Sequence, residues 1–183
     1  MKTDMRKLTG FLVFLVSCSF SSHTIAQALD AHVHGVATLQ VAVDAKVLSL
    51  SFSSPLDNLL GFEHKPRNQA EVKQVQNMIN AFYKTNLFVP SKAAQCKLQT
   101  VNLESVVIKK KPNAPKPQHE ETAGHADLDA ELVYTCNNVK DLRDLQVNLF
   151  KTFPNLHQLK VEIVSAHGQS ATQLTPTNTQ AVW

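Results

Sequence analysis

From Gly35 to Ser53 the chain alternates apolar and polar residues almost without interruption. Ala37, Leu39, Val41 and Val43 fall on one face, with Thr38 and Gln40 on the other; Leu48, Leu50 and Phe52 then repeat the pattern. A period of two marks strands with one buried and one wet face, as in antiparallel sheets. A two-residue turn at Asp44-Ala45 sets Val41 against Leu48, Leu39 against Leu50 and Ala37 against Phe52, apolar meeting apolar at every step. The turn lacks the Asn-Gly signature, which leaves its type open. In that register His34 comes beside Pro55.

The first of these strands opens with Asp30-Ala31-His32-Val33-His34-Gly35. Two imidazoles two residues apart in extended backbone point to the same side. Here that side is the polar one, shared with Thr38 and Gln40. Neutral imidazole is the commonest protein metal ligand and suits Zn, Cu and Ni. A pair is half a site; the bland alternative is two exposed histidines at a strand start. The segment after Pro55 carries Glu63 and His64 in Gly61-Phe62-Glu63-His64-Lys65-Pro66. Folded back, it would deliver a third nitrogen or a carboxylate oxygen to His32 and His34. Otherwise Glu63 and His64 are loop residues leading into the next helix.

The N-terminal residues read as an export signal over residues 1–28. Lys2, Arg6 and Lys7 precede an apolar run from Leu8 to Phe20, and Ala26-Gln27-Ala28 is a small-x-small cleavage site. The apolar run falls short of the about 20 residues a membrane span needs. Leu15-Val16-Ser17-Cys18 resembles a lipobox, so that acylation of Cys18 is the competing route. Removing Lys2, Arg6, Lys7 and Asp4 from totals of 18 basic and 15 acidic residues leaves fifteen against fourteen. This balance lacks the basic stripe that nucleic acid requires. Cleavage also leaves Cys96 and Cys136, which an oxidising compartment should pair. Thiolate ligation is the alternative; a disulfide leaves only His, Asp and Glu for a metal.

Residues 29–183 are one domain by length. Asn68 to about Lys84 reads as the one convincing helix, with Asn68 and Glu71 spaced as a capping box. Val72, Val75, Ile79 and Phe82 form its apolar stripe, widened by Met78 and Tyr83; Met78 is read as core. Gln95–Ile108 is a strand of imperfect alternation, and Leu128–Cys136 another. Paired as a hairpin, they set Cys96 opposite Cys136. The loop 109–127 between them is polar and proline-rich, without a large apolar residue, and reads as flexible. It holds the weaker metal candidates His119, Glu120, Glu121, His125 and Asp127. Leu145, Val147 and Leu149 fit a strand, although Leu142, Leu145, Leu149 and Phe153 also fit a helix; the strand is preferred, with residues 150–154 as a turn. Leu159, Val161 and Ile163 form a further strand, with His157 on its apolar side in a structural role. His167-Gly168-Gln169 is a turn, which makes His167 a further weak ligand candidate, and residues 171–175 pair back. The expected fold is α+β: a mainly antiparallel, sandwich-like sheet with one packed amphipathic helix and a disulfide-stapled hairpin.

His32-Val33-His34-Gly35, Ser54-Pro55-Leu56 with Asn58-Leu59, Gly61-Phe62-Glu63-His64-Lys65-Pro66, Cys96, Cys136, Leu149-Phe150 with Phe153-Pro154, and Gly168-Gln169 resemble one family. It is the bacterial exported family typified by the ZrgA zinc-uptake protein. The match runs through nearly the whole of residues 29–183 in order. The resemblance implies a periplasmic protein that binds Zn²⁺ and assists an inner-membrane zinc importer. Family members usually carry a long His/Asp/Glu-rich tract between the cysteine strands; here it is reduced to five such residues, which puts a loop-borne zinc reservoir in doubt.

The expected function is therefore a non-catalytic periplasmic zinc-binding accessory protein, neither transmembrane nor nucleic-acid-binding. His32, His34, His64 and Glu63 are its expected ligands. Copper handling is the first alternative, because imidazoles favour Cu²⁺ over Zn²⁺. A metal-independent interaction module is the second. Leu29-Asp30-Ala31-His32-Val33-His34-Gly35 also looks like an amidohydrolase opening, but that fold is a (β/α)₈ barrel of about 250 residues.

Overall fold

The first two strands, β1 (Val36–Asp44) and β2 (Val47–Pro55), pair antiparallel, two residues out of the expected register. In the computed structural model, which describes residues 33–84, 86–108 and 126–183, Val41 faces Leu50 and Leu39 faces Phe52. The turn is Ala45-Lys46, and Ala45 takes a left-handed φ of 49°. A shift of two keeps every side chain on its face, whereas a shift of one would turn the apolar set out to water. Alternation alone therefore permits both registers.

After β2 the chain forms a five-residue helix, α1 (Leu56–Leu60), ended by Gly61 in the left-handed conformation at φ 79°. Next comes α2 (Gln69–Tyr83), where the Asn68 side chain accepts from the Glu71 backbone N–H at 3.0 Å. The Glu71 carboxylate reaches back one residue further than a standard capping box, accepting from the Arg67 backbone N–H at 2.7 Å. Val75, Met78 and Phe82 bury their side chains, while Val72 and Tyr83 lie on the outer side of the helix. The stripe expected from sequence is thus narrower, with Ile79 at its half-buried margin.

The chain then runs through β3 (Phe88–Pro90), β4 (Cys96–Ser105), β5 (Asp127–Cys136), β6 (Asp144–Val147), the short helix α3 (Leu149–Thr152), β7 (Gln158–Ser165), β8 (Gly168–Leu174) and β9 (Gln180–Val182). Cys96 faces Cys136 across β4 and β5 and is bonded to it, closing a separation of 40 residues. The uneven alternation of β4 has a cause: the register slips between Leu98 and Thr100, leaving Gln99 as the extra residue of a bulge. Leu98, Val101 and Leu103 thereby all turn to the core side. Leu149 begins a helical turn rather than extending a strand, so each reading of residues 142–153 holds for part of the segment.

Six strands form one sheet in the order β4-β5-β2-β1-β7-β8, and β3-β6-β9 form a second. Every pairing is antiparallel except β1 with β7, which run parallel. This mainly antiparallel α+β arrangement is not the parallel barrel of an amidohydrolase. One face of the large sheet is apolar throughout, from Leu132 on β5 across Leu50 and Leu39 to Val161 on β7. Phe52 ties the layers together: its ring centre lies 5.6 Å from Phe82 on α2 and 6.1 Å from Phe88 on β3. The Tyr134 hydroxyl donates to the Phe88 carbonyl at 3.1 Å, and burial raises its pKa to about 12. The signal read in residues 1–28 lies outside the described residues, as does 109–125 of the loop.

Candidate metal site at one end of the sheet

Strand directions bring several chemistry-bearing segments to one end of the large sheet. β1 begins there at Val36, β2 ends there at Pro55, and Pro55 pairs with Asp127 at the start of β5. β7 also begins there, with Gln158 beside Val36. His34, α1 with Asp57, Asp127 and His157 therefore occupy one rim. The connection to helix α2, carrying Glu63 and His64, leaves from the same rim.

His34 is not in the strand. β1 starts at Val36, and His34-Gly35 lie in a turn closed by the Val36 N–H on the Val33 carbonyl at 3.1 Å. The expected placement of His34 on a strand face therefore does not hold, and its expected partner there, His32, lies outside the described residues. The turn is fixed from both sides. Gly35 N–H donates to Asn58 Oδ1 at 2.6 Å, and Asn58 Nδ2 donates to the Val36 carbonyl at 2.9 Å and to Ser54 Oγ at 3.1 Å. The Gly35 carbonyl accepts from the backbone N–H groups of His157 at 2.8 Å and Gln158 at 2.9 Å. Gly35 has φ 83°, and a Cβ there would come within 3.0 Å of His157 Cδ2. Only glycine fits this combination of positive φ and close approach.

The two-residue register shift decides the partner of His34. Carried past the end of the ladder, the observed register sets residue 34 opposite 57 rather than 55. Asp57 stands in the first turn of α1, and its Oδ2 lies 2.8 Å from His34 Nδ1. A carboxylate only accepts, so Nδ1 carries the proton, and in the neutral ring Nε2 keeps its lone pair. The His34 side chain is 60% exposed. Its pKa is raised above the ordinary 6.5, first by the hydrogen bond to Asp57, against a smaller opposing effect of burial, and further by the charges of Asp57 and Glu63.

His64 is placed differently. Its Nδ1 donates to the Lys65 carbonyl at 3.0 Å, its ring stacks on Phe62 at 4.9 Å, and the Glu71 carboxylate lies 3.9 Å away. It thus adjoins the cap of α2, and its neutral ring also leaves Nε2 as the acceptor. Glu63, half-buried, acts on His34 through its charge. His32, His119, Glu120, Glu121 and His125 lie outside the described residues. The weak candidate His167 sits at the β7–β8 turn, its Nε2 3.4 Å from the Arg143 guanidinium. That is the other end of an 8-residue strand, about 26 Å from the His34 rim. His157 is exposed just before β7 rather than packed on its apolar side. Among the described residues no three His, Cys, Asp or Glu side chains converge closely enough to hold a metal ion.

Asp57 and Asn58, which hold the His34 turn, do not stand out in the sequence as residues of this rim. The available signal was Asp57 itself, a carboxylate just past Pro55, reachable once the hairpin turn is moved by one residue. Residues 31–183 match the family described as ZrgA family zinc uptake protein. The chain belongs to this family. No curated protein matches it. Zinc uptake is thus the setting in which this ZrgA-family rim is to be understood. Among the described residues no helix is long and apolar enough to cross a membrane.

Proposed function

We propose that this ZrgA-family protein is a periplasmic, non-catalytic zinc-binding protein that assists an inner-membrane zinc importer. Membership of the zinc-uptake family over residues 31–183 is the observation that carries the reading. The rim supplies suitable chemistry: His34 offers an exposed imidazole whose Nδ1 is backed by a carboxylate. Zinc takes about four nitrogen, oxygen or sulfur ligands. With both remaining cysteines in a disulfide, those ligands are imidazoles and carboxylates. Our candidate set is His34 with His32, two residues before it in sequence, and Glu63 and His64 from the connection into α2; these last two do not converge with His34 among the described residues and enter as donors recruited with the metal. Family membership is what favours zinc over copper, because these donors alone rank Cu²⁺ higher.

Stripped of metal and titrated with Zn²⁺, the protein is expected to bind tighter than about 10 µM, about 7 kcal/mol of binding free energy. His34→Ala should weaken that binding sharply. Weaker binding by the wild type, or a His34→Ala variant that binds as the wild type does, would sink the reading.

A further inference from the structure

Resting on the zinc-site reading above, we infer that Asp57 is the positioning residue of the site: it holds His34 as the Nδ1–H tautomer and thereby makes Nε2 the metal-facing nitrogen. The geometry is that of the carboxylate–imidazole pairs that orient metal-bound histidines, in which the nitrogen away from the metal donates to a carboxylate. The Asp57 Oδ2 lies 2.8 Å from His34 Nδ1.

Asp57 is itself held in place. Its backbone carbonyl accepts from the Gly61 N–H at 2.9 Å and from Asn155 Nδ2 at 3.3 Å. Its neighbours Leu56 and Asn58 are buried. Asn58 in turn grips the backbone on the C-terminal side of His34. Donor and acceptor are thus fixed by separate contacts before any metal arrives, which is how supporting residues keep a ligand close to its productive geometry. An unconstrained imidazole would be free to present either nitrogen.

The test reads tautomer and affinity separately. Two-bond ¹H–¹⁵N spectra of the metal-free protein, above the His34 titration, should show Nδ1 protonated and Nε2 bare. Asp57→Ala should erase that preference and weaken Zn²⁺ binding about 10–100-fold, the usual cost of losing such a partner. His34→Ala should lose more. A wild-type ring protonated on Nε2 would overturn the inference, and this readout needs no variant. So would an Asp57→Ala protein that binds Zn²⁺ as the wild type does while His34→Ala has lost binding. Loss as complete as in His34→Ala, with the tautomer unchanged, would make Asp57 a direct ligand and equally overturn it. If His34→Ala itself bound normally, the zinc-site reading would fall, whatever the tautomer.

Discussion

Two hairpins in the same sheet are held in register by different means. β4 and β5 are joined covalently where Cys96 meets Cys136, so their pairing has one fixed point whatever their side chains prefer. β1 and β2 have a two-residue turn and a continuous apolar face. Neither separates two registers that differ by two residues. What pins the open end of this hairpin is Asn58, which bridges the backbone of Gly35 and Val36 to Ser54 of β2. A single buried side chain does for one hairpin what a covalent bond does for the other. The difference matters because His34 hangs on the hairpin that lacks the bond.

The contrast can be broken from either side. Cys96→Ser with Cys136→Ser removes a bridge across 40 residues, and chemical denaturation should show a loss of about 3–4 kcal/mol in the chain-entropy account. The ¹⁵N signals of His34 should stay where they are, because its turn does not depend on that bond. Asn58→Ala should do the reverse. It strips partners from two backbone groups in a buried corner and should cost about 2–3 kcal/mol. It should also perturb His34 and weaken Zn²⁺ binding with the disulfide intact. Were His34 to move equally in both variants, the two hairpins would not be independent.

The smallest effect sharpens the His34 end alone. The folded-state pKa of His34 is raised, chiefly by Asp57. The pair's contribution to stability is therefore complete below the unfolded imidazole value and is lost as pH rises through the raised folded value. The gap in thermal midpoint between wild type and Asp57→Ala should be widest near about pH 5.5, a unit below the ordinary histidine value, and should shrink by about pH 8. A gap that widened with pH would reverse the assignment.

Much of this was legible beforehand. The strands with clean alternation, the Asn68 cap of α2, the Cys96–Cys136 pairing and the mainly antiparallel α+β class all follow from local patterns. The His34 partner was not, because a period of two cannot tell Pro55 from Asp57 as its neighbour. Leu149 reads as strand because a four-residue helix offers too little periodicity to outweigh the flanking alternation of Leu145 and Val147. His157 has the parity of Leu159 and Val161, but β7 begins one residue later, at the rim, where parity no longer implies burial. The parallel pairing of β1 with β7 left no trace in either segment, since partner choice between distant strands is not written in either one.

That parallel pairing sets an order of events. β1, in the middle of the sheet, meets one neighbour across a two-residue turn and the other only at Gln158–Ser165, on the order of a hundred residues later, the kind of distant contact that slows folding. Until those residues emerge and dock, β1 is an open flank, and Gly35 lacks the two donors that seat its carbonyl. The imidazole end of the sheet is thus finished by one of the last segments to arrive, and a chain cut short before Gln158 would carry His34 on an unclosed corner.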